Sequence, residues 1–358
     1  MRPSAAVHQI LPTFSYGDAI GNHVRALRHL LREWGYASEV FAQHIHPRLK
    51  GEARFYQHYR AVSDPRNILL FHFSLASEVT GFVARLPDRK VLIYHNITPA
   101  EYFVGVNARV ADHCRRGRFD LGRLAGAMDL ALGVSEFNRQ ELEAAGYTRT
   151  GVLPVLVDWS DYGHRPVAEL EQAYAGRTVL LSVGRIAPNK RIEELIKTFC
   201  FYRRLDPTAR LVVVGTSVDM EGYLAGCQRL AAELGVADGV VFAGPVGQAE
   251  LCTYYRLASC YLCLSEHEGF CVPLLEAMHF DVPVVAYAAA GVPGTLGGAG
   301  ILLPEKDFPA IAELIRHLLT SPALLKEVLA GQRERLRAFE PAAVGQMLKG
   351  YLAELELR

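Results

Sequence analysis

The sequence predicts an α/β protein built from two doubly wound parallel sheets that face a central cleft. Short apolar runs alternate with longer segments of helical periodicity, and this alternation occurs in two series separated by a stretch without a clean period. Strands that alternate with helices form parallel sheets whose two faces are both covered. At roughly 100–200 residues per domain, a chain of 358 residues also favours two domains.

The first series predicts a Rossmann-like domain over residues 1–160. The run "AAVHQILP" is typical of a buried strand, and residues 18–34 carry branched apolar side chains at helical spacing. Four further strands are predicted at "ASEVFA", "NILLFHF", "KVLIYHN" and "LALGVS". Ligands of such sheets bind outside the carboxyl ends of the strands, so the residues that follow each run are candidates for function.

The second series predicts another Rossmann-like domain over residues 161–340. Strands are predicted at "RTVLLSVGR", "ARLVVVG", "GVVFAG", "CYLCLS" and "VPVVAY". Helices are predicted between them at 192–205, 220–234, from 248 onward and at 273–279. The intervening "PVLVDWSDYGHRPVAELEQAYAGR" is rich in turn residues and is interpreted as the linker. The last residues, 338–358, form an amphipathic helix, of which 341–358 is expected to pack back on the first domain.

Composition excludes several classes of protein. Half of the residues are hydrophobic, and 38 basic side chains balance 38 acidic ones, so no nucleic-acid partner is predicted. No apolar run is close to the length of about 20 residues that a helix needs to span a bilayer. The segment "RPSAAVHQILPTF" after Met1 lacks the apolar core of a signal peptide. The seven cysteines are scattered and odd in number, which fits a reduced cytoplasmic protein. A slight basic excess in the first half is compatible with peripheral contact at the inner face of a membrane.

One C-x-x-C pair, Cys260 and Cys263, interrupts this pattern inside "SCYLCLS". A structural zinc site needs a second pair of ligands, and the sequence contains no matching second pair. The segment is instead typical of a buried strand, so no metal site and no cofactor are predicted.

The stretch "SVGRIAPNKRIEELI" places two cations at the end of a predicted strand. Val179–Val183 form the strand, Gly184 permits a tight turn, and Arg185 and Lys190 precede the next helix. The fork of an arginine clamps two phosphate oxygens, and a lysine supplies a point charge, so the pair suits a diphosphate. The alternative is that both are solvated loop cations.

The stretch "LSEHEGFCVPLLEAMHFDVPVV" holds two carboxylates, Glu268 and Glu276, with seven residues between them. Pro273 stands at a first-turn position, where its missing N–H costs nothing, and the start of that helix offers partial positive charge to a phosphate. Carboxylates accept hydrogen bonds from the vicinal hydroxyls of a sugar or a ribose. The alternative is that Glu268 caps the helix and Glu276 is an exposed helix acid.

Together these motifs resemble retaining glycosyltransferases of family 4, group 1 enzymes with the GT-B fold. The resemblance is strongest from 179 to 305 and includes "SEHEGFCVPLLEAM", "SVGRIAPNK" and "DLALGVSEFNRQEL" followed by "LPVLVDWSDY". It implies that Arg185 and Lys190 bind the diphosphate of a nucleotide-sugar donor. It also implies that Glu276 holds the ribose and that Glu268 contacts the transferred sugar.

The same resemblance implies further contacts on the donor side. Backbone groups in the turn and at the helix start would bind the donor sugar (Gly269, Phe270, Cys271) and the phosphates (Val272, Pro273, Leu274, Leu275). The nucleobase is expected near Gly215, Thr216 and the "GPVG" turn that contains Val246. Two residues depart from the family pattern, because Cys271 and Asp281 stand where glycine is usual.

The first domain is expected to supply the acceptor side. His95 and Asn96 end the strand "KVLIYHN", and the family often has a histidine there that faces the donor sugar. His95 is therefore predicted to be catalytic together with Glu268, Arg185 and Lys190, and His72 in "LLFHFS" is the rival. In the loop "YGDAIGN", Gly17 and Asp18 are predicted to approach the acceptor, although Asp18 would serve equally as a helix N-cap.

The predicted activity is transfer of a sugar from a nucleotide-diphosphate sugar to an acceptor hydroxyl, with retention and without a metal, in polysaccharide or glycoconjugate biosynthesis. The donor is expected to be linked to UDP, GDP or ADP, and the acceptor to be a sugar or a lipid-linked sugar. Two alternatives stay open: another GT-B enzyme, such as a sugar-nucleotide epimerase or a phosphorylase, and a non-catalytic nucleotide-sugar-binding protein.

Overall fold

The structure, a computed structural model, describes residues 6–356. These residues divide into two compact units. The first unit holds the chain up to Ala100, Ala111–Asp158 and the chain from Ala338, and the second unit holds Glu101–Val110 and Trp159–Arg337. None of the helices in the described part is long and apolar enough to cross a membrane.

The assignment of residues 101–110 differs from the predicted domain boundary, which placed them in the first domain. In the structure Asn107 donates its side-chain N–H to the Asp219 carbonyl at 2.8 Å, and Arg109 forms an ion pair with the Asp219 carboxylate. These contacts tie the segment to the second unit. No sequence pattern in 101–110 indicated them.

The first unit contains a seven-stranded sheet in the order β3-β2-β1-β4-β5-β6-β7, and every neighbouring pair is parallel. Its strands are β1 (Val7–Phe14), β2 (Val40–Ile45), β3 (Ala53–Phe55), β4 (Ile68–Phe73), β5 (Arg89–Tyr94), β6 (Leu130–Gly133) and β7 (Thr150–Val152). Its helices are α1 (Ala19–Glu33), α2 (Glu78–Val83), α3 (Ala108–Leu124), which begins in the segment assigned to the second unit, α4 (Glu136–Ala144) and, at the other end of the chain, α13 (Pro341–Glu356).

Helix α1 shows how local sequence positions these elements. Asp18 is its N-cap, with its carboxylate accepting a hydrogen bond from the Gly21 N–H, so the capping alternative for Asp18 is the one observed. Val24, Leu27 and Leu31 form a fully buried stripe one or two turns apart. The predicted helix, 18–34, is therefore correct within one residue at each end.

The second unit contains a six-stranded sheet in the order β10-β9-β8-β11-β12-β13, again entirely parallel. Its strands are β8 (Val179–Val183), β9 (Arg210–Val214), β10 (Val240–Gly244), β11 (Cys260–Cys263), β12 (Val284–Tyr287) and β13 (Ile301–Leu303). Its helices are α5 (Ala168–Tyr174), α6 (Ile192–Leu205), α7 (Glu221–Glu233), α8 (Gln248–Leu257), α9 (Val272–His279), α10 (Val292–Leu296), α11 (Phe308–Thr320) and α12 (Pro322–Leu336).

The side chains of strand β11 alternate between the two faces of the sheet. Cys260, Leu262 and Leu264 belong to the apolar core of the second unit, together with Phe199 of α6 and Ile315 of α11. Successive side chains on a strand point to opposite faces. The two cysteines of the C-x-x-C pair therefore leave the strand on different faces, which explains why they do not form a paired site.

Several sequence interpretations needed correction. The linker stretch contains a short 3₁₀ turn, Trp159–Tyr162, followed by helix α5. The glycine-rich stretch "AAAGVPGTLGGAGILL", for which no element was predicted, contains α10 and β13. The terminal helix begins at Pro341 rather than 338, because residues 337–339 form a 3₁₀ turn, and its predicted last two residues lie outside the described part.

Candidate functional site

The candidate site of the second unit lies at the carboxyl ends of its parallel strands, where glycines let three backbone segments approach each other. Gly184 and Gly215 follow β8 and β9, and both have φ near +147°. A Cβ on Gly215 would lie 1.9 Å from the Gly184 carbonyl oxygen, so no side chain fits there. The Gly215 N–H in turn donates to the Gly244 carbonyl at the end of β10. The predicted nucleobase-side turns are thus adjacent to the predicted phosphate-binding turn.

An ion pair joins the loop after β8 to the loop after β11. The Lys190 ammonium contacts Oε1 of Glu268 at 2.5 Å, and the two side chains are 21% and 8% exposed. Burial opposes the charge on Lys190, but the Glu268 carboxylate outweighs this effect and raises the pKa of the lysine. Lys190 therefore stays charged throughout the physiological range.

Arg185 takes a different position from Lys190. It is exposed, and its guanidinium donates to the Val218 carbonyl at 2.9 Å. The two predicted phosphate cations are therefore unequal: one is held in a partly buried ion pair, and the other lies at the surface on a backbone carbonyl.

Helix α9 begins with an unusual cap. Cys271 is its N-cap in the left-handed conformation, with φ of +70°, and its side chain makes no capping bond. Of the four predicted phosphate contacts, Pro273 has no N–H, and Leu274 and Leu275 are fully buried. Val272, which is partly exposed, is therefore the residue of this group best placed to offer an N–H to a ligand.

Glu276 is buried, so the alternative interpretation of it as an exposed helix acid is wrong. It is 6% exposed, and its two carboxylate oxygens accept hydrogen bonds from the hydroxyls of Tyr162 and Tyr255, each at 2.6 Å. Burial raises the pKa of Glu276, and the two tyrosine hydroxyls oppose that rise. The carboxylate thus connects α9 to the 3₁₀ turn at 159–162 and to α8.

The turn that carries Glu268 is held by residues that the sequence interpretation did not single out. The Asn189 side chain donates to the His267 carbonyl at 3.0 Å. The Gly291 N–H donates to the Glu268 carbonyl at 2.9 Å, and the Thr295 hydroxyl donates to the Phe270 carbonyl at 2.5 Å. The glycine-rich segment therefore supports the predicted sugar-binding turn from behind, and a Cβ on Gly291 would lie 2.3 Å from the Gly269 carbonyl oxygen.

In the first unit, three histidines gather where β4 and β5 end beside α1, and of these His23 and His72 are buried and His95 is half-buried. The ring centroids of His23, His72 and His95 lie 5.2–5.6 Å apart. Burial lowers the pKa of all three, and for His72 and His95 it lies well below the ordinary value of 6.5. All three imidazoles are therefore neutral at neutral pH.

A chain of hydrogen bonds fixes the tautomer of His95. The Gln9 amide donates to the Val24 carbonyl, so its oxygen accepts from Nε2 of His72 at 2.9 Å. A neutral imidazole carries one N–H, so Nδ1 of His72 accepts from Nε2 of His95 at 3.0 Å. Nδ1 of His95 consequently keeps its lone pair. His72, the predicted rival of His95, is instead its positioning partner.

The other two predicted residues of the first unit, Asn96 and Gly17, have backbone conformations with positive φ. Asn96, at φ of +79°, donates its side-chain N–H to Asn138 and Glu141 of α4. Gly17 is exposed with φ of +77°, and a Cβ there would meet no atom within 4 Å. Asn96 and Gly17 both occupy the left-handed region of backbone conformation, which asparagine and glycine tolerate better than most residues.

The family model of the group 1 glycosyl transferases matches residues 169–336. Residues 169–336 are therefore similar to the group 1 glycosyl transferases. The match contains all of the donor-side residues described above and confirms the resemblance predicted for this part of the chain.

The curated proteins that the chain resembles bear the names of glycosyltransferases. The chain is 31% identical to the D-inositol 3-phosphate glycosyltransferase of Thermomonospora curvata, over 63% of this chain and 57% of that protein. It is 30% identical to the GDP-mannose-dependent alpha-(1-6)-phosphatidylinositol monomannoside mannosyltransferase of Mycolicibacterium smegmatis, over 57% of this chain and 56% of that protein. The chain therefore spans little more than half the length of these relatives.

Solved structures extend the likeness beyond residues 169–336 to the fold of nearly the whole chain. Sucrose-phosphate synthase from Thermosynechococcus elongatus has a TM-score of 0.76 at 20% identity, and covers 98% of this chain and 99% of its own. Anabaena HepE, in complex with UDP and glucose, has a TM-score of 0.76 at 16% identity, over 97% of this chain and 99% of its own. The predicted GT-B fold class, with two parallel-sheet α/β domains, is confirmed.

The buried carboxylate of Glu276 generates a prediction about stability and pH. Because folding raises its pKa, the native state binds its proton more tightly than the unfolded state, and the stability that this contributes is lost as pH rises above about 4.5. We expect Glu276→Gln to remove this loss, so the unfolding free energy of the variant relative to wild type should increase as pH rises from 5 to 8. Urea unfolding without ligand measures it.

The control for this measurement is Glu327→Gln, which changes an exposed glutamate of α12. Its stability relative to wild type should change little across the same pH range. Parallel pH profiles for wild type and Glu276→Gln would contradict the assignment of a raised pKa to Glu276.

Proposed function

We propose that this protein is a retaining, metal-independent glycosyltransferase that moves a sugar from a nucleotide-diphosphate sugar to an acceptor hydroxyl during polysaccharide or glycoconjugate synthesis. The observation that carries the proposal is the Lys190–Glu268 ion pair, which lies beside the glycine turns of a group 1 glycosyl transferase domain. Curated relatives of the chain bear the names of glycosyltransferases.

The donor diphosphate would compete with the Glu268 carboxylate for the ammonium of Lys190. In the structure, Glu268 supplies the counter-charge of the ammonium. A diphosphate beside the turn at Gly184 would supply that charge instead, assisted by Arg185 and by the N–H of Val272. Glu268 would then be free to accept hydrogen bonds from the transferred sugar. Diphosphate binding and sugar binding are therefore coupled through one carboxylate.

The same groups stabilise the leaving group. Negative charge builds on the diphosphate as the bond to the sugar breaks, and a well-placed donor that meets developing charge contributes about 3–4 kcal/mol. Lys190 and Arg185 supply the positive charge that a bound metal would otherwise provide. In the retaining mechanism, the leaving phosphate takes the proton of the acceptor hydroxyl on the same face of the sugar.

The choice of donor and acceptor is proposed from the relatives. The base is that of UDP, GDP or ADP, and it lies near Gly215, Thr216 and Val246. The acceptor is a sugar or a lipid-linked sugar, reached by peripheral contact with the inner face of a membrane. Relatives that act on inositol 3-phosphate and on a phosphatidylinositol mannoside make inositol-containing acceptors the first to test.

The proposal predicts turnover that depends on the two cations. With UDP-, GDP- and ADP-sugars and a panel of inositol and sugar acceptors, we expect a glycosylated product whose anomeric configuration, measured by NMR, matches the donor. Lys190→Ala and Arg185→Ala should each lower the rate by about tenfold or more, because each loses a charge that meets the diphosphate. Lys326→Ala, an exposed lysine of α12, is the matched control and should keep full activity.

Two outcomes would reject this proposal in different ways. Binding of a nucleotide-sugar without transfer to any acceptor would favour a non-catalytic binding protein. Interconversion of free nucleotide-sugars without an acceptor would favour an epimerase.

Ribose recognition by Glu276 requires an exchange of partners. Both of its oxygens are occupied by tyrosine hydroxyls, and Tyr255 is fully buried. Tyr162 belongs to a short 3₁₀ turn and contacts α9 mainly through this hydroxyl and through ring contacts with His279 and Phe280. We therefore propose that ribose hydroxyls replace Tyr162 on Oε1 of Glu276.

This exchange predicts opposite effects of two substitutions on nucleotide affinity. Tyr162→Phe removes the competing donor, so binding of free UDP or GDP should tighten by about threefold to tenfold, as expected for the loss of one competing hydrogen bond. Glu276→Ala should weaken binding by about tenfold or more. Calorimetry with the free nucleotide measures both, and Tyr255→Phe is the control that should not tighten binding. Equal weakening by Tyr162→Phe and Glu276→Ala would show that the tyrosine stays in place.

His95 is the proposed contribution of the first unit. Its Nδ1 keeps a lone pair because His72 and Gln9 hold the proton on Nε2. An imidazole in this state accepts a hydrogen bond from a hydroxyl at neutral pH and does not compete for it as a charged donor. His72 thus acts through His95 as a positioning residue.

The chain of hydrogen bonds from Gln9 through His72 to His95 predicts that two substitutions of His72 lower turnover to different extents. His72→Leu removes the acceptor for Nε2 of His95, and we expect turnover to fall by about tenfold or more, as for other groups that orient a functional histidine. His72→Gln keeps an acceptor and a donor and should restore most of the rate.

Nitrogen NMR of labelled histidine reads the tautomer directly. In wild type and His72→Gln, His95 should carry its proton on Nε2, whereas His72→Leu should give a mixture. A mixture of tautomers already present in wild type would contradict this chain of hydrogen bonds. Unchanged kinetics in His72→Leu would show that the chain has only a structural role.

A further inference from the structure

Three buried side chains with metal-binding atoms converge at the carboxyl end of β11. They are Cys263, the last residue of the strand, Glu268, in the turn, and Cys271, the N-cap of α9, and they are 3%, 8% and 8% exposed. One ligand atom of each lies within 4.8 Å of the ligand atoms of the other two. Nothing in the proposed transfer reaction uses the two thiols.

The turn between the three residues is already held in place. Asn189 and Gly291 bind its backbone at His267 and Glu268, and Thr295 binds the carbonyl of Phe270. Cys271 has the left-handed conformation, and its thiol is hydrogen-bonded to that of Cys263. The arrangement therefore exists before any ligand binds, and little chain entropy has to be lost on binding.

Charge balance favours a divalent cation at this position. With both thiols protonated, the negative Glu268 and the positive Lys190 cancel each other. If a divalent cation binds and both thiols release their protons to the solvent, two thiolates and one carboxylate carry three negative charges, and the cation and Lys190 carry three positive charges. The buried cluster thus stays neutral, and Lys190, which contacts Oε1 of Glu268, compensates the surplus negative charge instead of excluding the metal.

The ligand set selects the kind of metal. Thiolates bind Zn²⁺ and its softer relatives, whereas Mg²⁺, Ca²⁺ and Mn²⁺ prefer sites made only of oxygen. Two sulfurs and one oxygen fill three positions of a tetrahedron and leave the fourth to water or to an added ligand.

We propose that Cys263, Glu268 and Cys271 form a binding site for a thiophilic divalent cation, Zn²⁺ by class, and that an ion bound there inhibits the enzyme. The inhibitory part rests on the proposed function, since Glu268 is its proposed sugar contact. The ion would hold the carboxylate and the start of α9 in a state that cannot accept the sugar. The binding part does not depend on the reaction.

Cd²⁺ and Co²⁺ titrated into reduced, metal-free protein test the binding part, because thiolate ligands give charge-transfer absorbance in the near ultraviolet. Wild type should bind one ion with this absorbance. Cys263→Ser should lose the absorbance, and Glu268→Gln should weaken binding by about tenfold or more. Cys200→Ser removes a thiol that lies apart from the cluster on α6 and should behave as wild type.

Thermal unfolding and binding of free nucleotide establish that each variant is folded, so loss of absorbance is not loss of structure. Absence of the charge-transfer band in wild type, or its persistence in Cys263→Ser, would overturn the site. Neither result bears on whether the protein is a glycosyltransferase, because no donor or acceptor is present.

Inhibition is measured separately with a donor and acceptor that turn over. Zn²⁺ should lower the rate of wild type by at least about tenfold at saturation, and a chelator should restore it. Cys263→Ser should resist inhibition while keeping its turnover. Equal inhibition of wild type and Cys263→Ser would place the inhibitory ion elsewhere and overturn this part of the proposal.

Discussion

The other features of the candidate site in the second unit depend on the ion pair between Lys190 and Glu268. It joins the loops that follow β8 and β11, which are neighbouring strands of one sheet. Each loop is short and follows a buried strand, so the pair brings opposite charges together at the point where parallel strands end and ligands of such sheets bind. A partly buried ion pair of this kind loses much of its solvation. A ligand that supplies the same charges can therefore replace one partner at little cost.

Glycine makes this arrangement possible. Gly184 and Gly215 approach so closely that a single Cβ would collide with the neighbouring carbonyl, and Gly291 packs just as closely on the turn that carries Glu268. Backbone therefore lines the predicted base and phosphate region, while the charged side chains enter from the loops. A site of this construction recognises a ligand mainly by its backbone N–H groups and by a few charges.

In the first unit, burial and hydrogen bonding fix the protonation of a histidine cluster. Burial keeps the three histidines neutral, and one glutamine orders two of them. A buried polar chain is costly unless each member is satisfied, and Gln9, His72 and His95 satisfy one another in sequence. His23 accepts the Leu156 N–H, and its other ring nitrogen has no hydrogen-bond partner within residues 6–356. Its ring instead packs nearly perpendicular to the other two imidazoles.

The sequence by itself determined the strand–helix alternation, most of the strands that precede the candidate site residues and the family resemblance at 184–190 and 268–276. These features are local, because hydrophobic periodicity and turn residues act within about ten residues of the chain. Only the tertiary structure decided which charges pair. The partners Lys190 and Glu268, Tyr162 and Glu276, and His72 and His95 are separated by 78, 114 and 23 residues. The pairing depends on which strands become neighbours and on which face each side chain leaves its strand, and no single segment encodes either.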